Sequence, residues 1–313
     1  MTGREEAVHQ DGPDTGAATH CETWDNFWER YARQTEYIIR KSVAVYETSE
    51  SLRAKYFPTP YLSCLVGGCA EKGLDITNGG AEINLTTLET VTYATTVDSL
   101  LAIKYLVFDR KKCAMAELIG ALKDNWQGHD VLQAFAKNKA PKYGRDDDEA
   151  DAMAKQVMDL WCNETWKHET VSTGRRFRPG MLSWNYWAGD GFVMAASADG
   201  RHKGQFLSNA ICPSNGADIN GPTSNANSVG KVMGGKAADG NGHWGEYLNC
   251  LPNGASHTIT FNPSIIRDPE HQEKFKAFLK GYCENGGNAL QINMLDPGVL
   301  RHAQKNPRDY RHL

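Results

Sequence analysis

The strongest constraint on the fold is a pair of alternating segments that flank one helical segment near the C-terminal end. Apolar and polar residues alternate over residues 257–261 and again over 290–294, which predicts two strands. Between them, Asp268 and Pro269 stand where a helix favours its N-cap and first residue, and Asp296, also followed by proline, predicts a final helix. Strand, helix and strand in this order predict a parallel βαβ unit with a right-handed crossover. The chain is therefore expected to be an α/β protein.

A long amphipathic helix is predicted near the N-terminus. Apolar residues recur at three- and four-residue steps from Trp24 to about Leu52, and the prolines at 58 and 60 end this pattern. Residues 61–72 are compatible with a further helix. Residues 1–20 are polar and lack periodicity, so they are expected to form a surface arm.

The middle of the chain predicts three more helices. Thr95 or Thr96 can cap a helix that runs through Phe108, and residues 115–122 predict a shorter one. The acidic run 146–149 is interpreted as the first turn of the third helix, where carboxylates are favourable, rather than as a metal site.

Beyond residue 178 the pattern changes. Apolar and polar residues alternate over 182–186, which predicts a strand. Residues 200–254 contain eleven glycines among many polar residues and show no periodicity. This stretch is predicted to be a long ordered loop, and loops of that length inside a domain tend to be functional.

Charge and cysteine content exclude several classes of function. The net charge of −4 provides no basic footprint for nucleic acid, and no apolar run approaches the length of a membrane span. The eight cysteines form no C-x-x-C pair and no signal peptide precedes them, so reduced thiols and a cytoplasmic location are expected. These features favour a protein that handles a small molecule.

One short segment places a thiol near a carboxylate. Cys69 stands two residues before Glu71, a pairing that a nucleophile or a radical relay could use. Residues two apart do not share a helix face, so Cys69 is interpreted as a buried structural side chain.

Other catalytic and ligand-binding motifs are poorly supported. A loose group of potential metal ligands matches no zinc spacing, and no metal is predicted; the group is His243, Glu246, Cys250 and His257. The glycines and lysine of 234–236 lack the remainder of a phosphate-binding loop, and there is no G-x-S-x-G. The residues taken alone therefore predict an α/β protein but no reaction.

Ordered motifs nevertheless run through nearly the whole chain. They are G-P-D-T-G at 12–16, P-Y-L-S at 60–63, G-C-A-E-K-G at 68–73, G-G-A-E-I-N at 79–84, D-S-L-L-A-I-K at 98–104, D-G-R at 199–201, G-P-T at 221–223 and L-Q-I-N at 290–293. In this order they resemble the C-terminal half of glycyl radical enzymes, the family of pyruvate formate-lyase and glycerol dehydratase.

The resemblance implies a fold and a chemistry. It implies half of a ten-stranded α/β barrel, here over residues 21–313. In the family, an activating enzyme with an iron–sulfur cluster and S-adenosylmethionine installs a backbone glycyl radical. That radical generates a cysteine thiyl, which attacks a small organic substrate. The resemblance thus implies a lyase, dehydratase or formate acetyltransferase that is a homodimer when intact.

Two departures from the family pattern affect the expected activity. The thiyl cysteine should precede G-P-x-T-G, but only eleven residues stand before Gly12 and none is cysteine. The radical glycine, in R-V-x-G-Y, is expected beyond Leu313, while Cys69 occupies a later, non-catalytic position. No catalytic residue is therefore predicted in this chain. It is expected to be an inactive fragment, or alternatively a non-catalytic scaffold or one subunit of a split enzyme.

The resemblance also suggests two substrate-lining residues. In relatives the strand that leads to D-G-R lines the pocket, and counting back from Asp199 places Leu182 and Trp184 at pocket-facing positions. Barrel core is an equally favoured alternative for both.

Overall fold

A computed structural model describes residues 11–171, 173–182, 184–233 and 250–310. The helices of this part are α1 Trp24–Tyr56, α2 Pro60–Ser63, α3 Cys69–Lys72, α4 Tyr93–Ile103, α5 Met115–Lys123, α6 Asp130–Asn138, α7 Asp148–Trp166, α8 Tyr186–Val193, α9 Pro222–Met233, α10 Pro269–Glu284 and α11 Pro297–Lys305. The strands are β1 Thr86–Thr90, β2 Phe177–Met181, β3 Ser256–Phe261 and β4 Ala289–Met294. No helix of the described part is long and apolar enough to cross a membrane.

All the strand pairings are parallel and follow chain order. β1 pairs with β2, and β3 pairs with β4. A single parallel bridge between Met181 and Ala255 joins the two pairs, and the Met181 amide donates to the Gly254 carbonyl at 2.9 Å. The order β1-β2-β3-β4 agrees with the α/β class, and the predicted parallel pairing of β3 and β4 across α10 is confirmed, while the right-handed crossover stays a prediction.

Helices cover one face of these strands. Phe177 of β2 contacts the Tyr46 ring of α1 edge-on, and Met181 is fully buried in the main core. On β3, the His257 ring lies 5.4 Å from the Tyr282 ring of α10. The Phe261 ring contacts the Phe278 ring of α10 edge-on. Helices α4, α7 and α9 complete this core, while α5 and α6 form a smaller cluster beside it. The strand residues between these buried ones face away from the helices.

The acidic run begins α7, as predicted. Asp147 is the N-cap and accepts a hydrogen bond from the Ala150 amide at 2.9 Å. Lys231 of α9 lies 2.8 Å from Asp146 and 3.1 Å from Asp151, so the run also holds α9 against α7. The buried apolar residues Met153, Val157 and Met158 of α7 belong to the same core as α9.

A buried polar pair fixes α4 against distant loops. Thr95 and Ser208 exchange hydrogen bonds between hydroxyl and amide at 2.8 and 2.9 Å. Asp98 accepts from the Tyr143 amide at 3.0 Å and from the Ser214 hydroxyl at 2.7 Å. The expectation that Thr95 or Thr96 caps the helix is wrong, because α4 already begins at Tyr93 and the Thr95 hydroxyl holds a loop. The helix ends in a π-helical turn at 104–109.

Three other predictions need correction. Residues 61–72 form two short helices, α2 and α3, because Gly67 and Gly68 separate them. The glycine-rich stretch is not all loop, since it contains α9. The predicted strand at 182–186 is wrong: β2 lies just upstream, Asn185 adopts a left-handed conformation with φ 60°, and Tyr186 opens α8. Residues 234–249 of the glycine-rich stretch lie outside the described residues.

The core at α7 provides a direct test of this packing. Met158 is 1% exposed and belongs to the main cluster. We expect Met158→Ala to lower the free energy of unfolding by about 2–5 kcal/mol, because it leaves a cavity between packed helices. Urea unfolding measures the change. Gln156→Ala, an exposed position on the same helix, is the control and should change stability by less than about 0.5 kcal/mol. Equal losses of stability in the two variants would contradict the assignment of Met158 to the buried face of α7.

Asp98 makes stability depend on pH. Burial raises the pKa of this carboxyl to about 6, and the Lys142 ammonium opposes the shift. The folded chain therefore holds the proton more tightly than the unfolded chain does, so this contribution is complete at low pH and is lost as pH rises from about 4 to 6. The loss amounts to about 3 kcal/mol at most. Asp98→Asn keeps an acceptor for the Tyr143 amide and should remove this part of the decline. Urea unfolding of both proteins at pH 4.5 and 7.5 measures it, and parallel pH profiles would contradict the prediction.

Candidate functional site

The strand face turned away from the helices is polar. Strand alternation places on it a set of hydrogen-bonding and small residues, which are Thr87, Glu89, Arg178, Gly180, Thr258, Thr260, Gln291 and Asn293. Parallel sheets usually bury both faces and are apolar on both. A polar face of this kind is therefore unexpected for a structural core. We call this set of residues the polar strand face and treat it as the candidate functional site.

Glu89 lies on β1, at one edge of this face. It pairs across the sheet with Gly180, and its Oε1 accepts a short hydrogen bond from the Asn253 side chain. Its Oε2 is buried and forms no hydrogen bond within the described part of the chain. Burial raises the pKa of the Glu89 carboxyl, and the Asn253 amide and the Thr87 hydroxyl oppose the shift. Such a carboxyl can accept a hydrogen bond from a ligand, or hold a proton to donate.

The sequence makes room for Glu89 at Gly180. A Cβ built on Gly180 would lie 2.5 Å from Glu89 Oε2, closer than side-chain atoms approach. Glycine at this position therefore lets the carboxylate lie flat over the neighbouring strand. The sequence alone did not indicate Glu89, because its role depends on a strand register that no local pattern shows.

The two predicted substrate-lining residues fall in different surroundings. Leu182 follows β2 directly, is half-buried, and by alternation shares the face of Arg178 and Gly180. Trp184 lies beyond the strand and is 65% exposed. Alternation thus places Leu182 on the polar strand face, Trp184 is exposed beyond the strand, and the roles of both stay predictions.

Cys69 has the environment of a structural side chain. It is 3% exposed at the start of α3. The carboxylate of Glu71 accepts a hydrogen bond from the Gly68 amide at 3.0 Å and so caps its own helix. This geometry supports the interpretation of Cys69 as non-catalytic, which stays a prediction.

The loose group of potential metal ligands is only partly described. His257 is fully buried, its Nε2 lies 2.9 Å from Asn225 Oδ1, and burial lowers its pKa to about 4. It is therefore a neutral core histidine. Among the residues that the structure describes, no group of three or more histidine, cysteine or acidic residues could hold a metal ion. His243, Glu246 and the segment 234–236 lie outside the described residues.

Comparison with known families and structures identifies the class of protein. The family model "Pyruvate formate lyase-like" matches residues 2–188, and the model "Glycine radical" matches residues 207–313. The chain belongs to the glycyl radical enzyme family, as its motifs predicted. The second match fits a glycyl radical cofactor.

Individual relatives are similar along nearly the whole chain. Trans-4-hydroxy-L-proline dehydratase of Clostridioides difficile is 34% identical over 97% of this chain, and (2S)-3-sulfopropanediol dehydratase of Klebsiella oxytoca is 31% identical over 96%. The glycerol-bound structure of the B12-independent glycerol dehydratase from Clostridium butyricum superposes with a TM-score of 0.86 at 31% identity over 96% of this chain. The substrate-bound hydroxyproline dehydratase structure gives 0.87 at 32% over the same share.

The same comparisons bear on the extent of the fold. The chain spans 35–36% of the length of these relatives. The prediction of a partial α/β barrel is confirmed by the superposition on these enzymes. The division of the chain into an arm and residues 21–313 is not tested and stays a prediction.

The contact between Glu89 and Gly180 can be tested by a double-mutant cycle. We expect Gly180→Ala to lower the free energy of unfolding by about 1–3 kcal/mol, because the new methyl group overlaps the Glu89 carboxylate. Glu89→Ala removes the overlapping group, so the double variant should lose much less stability than the sum of the single variants.

The control for this cycle is Gly189→Ala in α8, where an added Cβ meets nothing within 4 Å. It should leave stability unchanged or raise it by up to about 1 kcal/mol. Urea unfolding measures the stability of the unmodified chain and of all four variants. Additive losses for Gly180→Ala and Glu89→Ala would show that the two residues are not in contact.

Proposed function

We propose that this chain supplies the C-terminal barrel half of a glycyl radical lyase of the dehydratase type, acting on a small organic substrate. The observation that carries the proposal is the polar strand face, which includes the half-buried Glu89 with its buried Oε2, in a chain of this family. The relatives described above are dehydratases, and isethionate sulfite-lyases are also similar to this chain. The acyltransferase activity that the resemblance also implied is therefore the less favoured alternative.

The radical chemistry is assigned to groups that these 313 residues do not contain. The glycyl radical, installed by an iron–sulfur S-adenosylmethionine activating enzyme, would supply a cysteine thiyl that starts the reaction. Neither R-V-x-G-Y nor a cysteine before G-P-D-T-G occurs in the sequence, and Glu71 caps α3 instead of serving Cys69. The residues present therefore do not fit the radical relay, and no step through it is assigned to them.

The contribution of this chain is to bind and orient the substrate. Glu89 would accept a hydrogen bond from a substrate hydroxyl through Oε2, and Leu182 would supply an apolar contact on the same face. Trp184 would close the rim. Support comes from the names of the relatives, since hydroxyproline, sulfopropanediol and glycerol all carry hydroxyl groups.

Exposed apolar side chains support the proposal that other polypeptide covers this chain. Ile38, Val45 and Leu52 follow each other at seven-residue spacing on α1 and are 60%, 63% and 51% exposed. A second exposed group surrounds α8 and includes Trp184 and Phe192. Contiguous exposed apolar surface of this kind marks an interaction site. We propose that the remaining part of a glycyl radical enzyme covers it, and that the assembled enzyme is a homodimer served by the activating enzyme.

A complementation experiment tests the proposal. The chain is produced anaerobically alone, and also with the reading frames that flank its gene and with the activating enzyme. We expect no dehydration of trans-4-hydroxy-L-proline or glycerol and no glycyl radical signal in electron paramagnetic resonance from the chain alone. The co-produced material should form a stable complex that gives the radical signal and turnover.

Variants of α1 separate the outcomes. Val45→Asp should weaken complex formation at least about tenfold, because it places a charge in the apolar row. Arg33→Asp, on another side of α1, should leave it unchanged. A stable complex without radical or turnover would favour the non-catalytic scaffold. A monomer that unfolds cooperatively and binds no flanking product would contradict the proposal.

A further inference from the structure

A cavity is present whose lining residues are all different from those of the polar strand face. Its volume is about 780 Å³, and none of its lining residues belongs to a strand. It lies between α4, the end of α6, the segment that leads to α7, and the loops around residues 199–208 and 214–219. Four cationic side chains line it, namely Lys137, Lys142, Arg145 and Arg201.

Lys142 is the most deeply buried of these cations. The residue is only 5% exposed, and within the described part of the chain its ammonium donates one hydrogen bond, to the Asp199 carbonyl at 3.3 Å. The adjacent Tyr143 amide is held by Asp98, so the backbone that carries the lysine is fixed. An ammonium has three donors, and two of those on Lys142 have no hydrogen-bond partner within the described part of the chain. A ligand in the cavity could accept those two hydrogen bonds.

Lys137 approaches the same turn from α6. Gly200 has φ +100°, and a Cβ there would lie 2.5 Å from Lys137 Cγ. The absence of that side chain lets the stem of Lys137 lie on the D-G-R turn, beside the Asp199 carbonyl that Lys142 contacts. The two lysines thus converge on one turn.

Arg145 also lines the cavity, and its side chain is held in place by a loop. Its Nε donates to the Ala217 carbonyl at 2.6 Å, and its own carbonyl accepts from the Asn220 side chain at 2.9 Å. Its two terminal nitrogens make no hydrogen bond to any residue that the structure describes. Guanidinium groups held in this way suit the oxygens of carboxylate, sulfonate or phosphate.

The other charged groups of the cavity are already engaged. Both oxygens of Asp98 accept hydrogen bonds, and Asp199 Oδ1 accepts from Ser197 and from the Arg201 amide. The Arg201 guanidinium is used within its own loop, where it contacts Ser197 and three backbone carbonyls. Among the charged groups of the cavity, donors without a partner in the described part of the chain are therefore found on Lys137, Lys142 and Arg145.

We propose that this cavity binds a small anion through an oxyanion group held by Lys142, Lys137 and Arg145. The proposal does not rest on the function proposed above, because the cavity shares no residue with the polar strand face. The group that the cavity recognises is the oxyanion.

Isothermal titration calorimetry on the full chain tests the proposal, with inorganic phosphate, ethanesulfonate and acetate as separate probes and glycerol as the neutral control, all at constant ionic strength. We expect saturable binding of at least one oxyanion and none of glycerol. Tighter binding of phosphate would identify a phosphate group as the preferred oxyanion, and tighter binding of ethanesulfonate would identify a sulfonate. Either result supports the proposal.

Matched variants locate the site. Lys142→Met and Arg145→Gln should each weaken binding at least tenfold, and Lys142→Arg should retain most of it. Lys139→Met, an exposed lysine in the same segment, should leave the affinity unchanged. Because Lys142→Met removes a buried side chain, Arg145→Gln provides the test if that variant does not fold. Absence of saturable binding, or an equal loss in Lys139→Met, would overturn the proposal.

Discussion

The structure depends on a one-sided covering of parallel strands. Helices α1, α4, α7, α9 and α10 bury Phe177, Met181 and the alternate residues of β3 and β4, which leaves the opposite face without helices among the described residues. Parallel sheets gain stability from covering both faces. The opposite side is polar instead, and burial raises the pKa of its Glu89 carboxyl.

The parts of the fold that the sequence predicted are those encoded locally. Asp268 and Asp296 cap α10 and α11 through hydrogen bonds to amides two or three residues away, so a short pattern was sufficient to find them. The alternation of β3 is equally local, because one face is buried and the other is not. By contrast, β2 reads Phe-Arg-Pro-Gly-Met, and the proline and glycine concealed a strand that lies inside the sheet.

The candidate site could not be predicted from local patterns, because it is built from distant contacts. Glu89 meets Asn253 across 164 positions of sequence, and Thr95 meets Ser208 across 113. Only the family motifs carried information over such separations, and they led to Leu182, which alternation then places on the polar strand face. They gave no indication of the cationic cavity, since Lys142 and Arg145 acquire their surroundings from the loops at 199 and 217.

The apolar row on α1 has a consequence for the life of the chain in a cell. While Ile38, Val45 and Leu52 are uncovered, they present the kind of surface that chaperones bind and that promotes aggregation. If further polypeptide covers this row, as proposed, its arrival after synthesis would shield these side chains and would affect the abundance of the chain together with the chain's own folding stability.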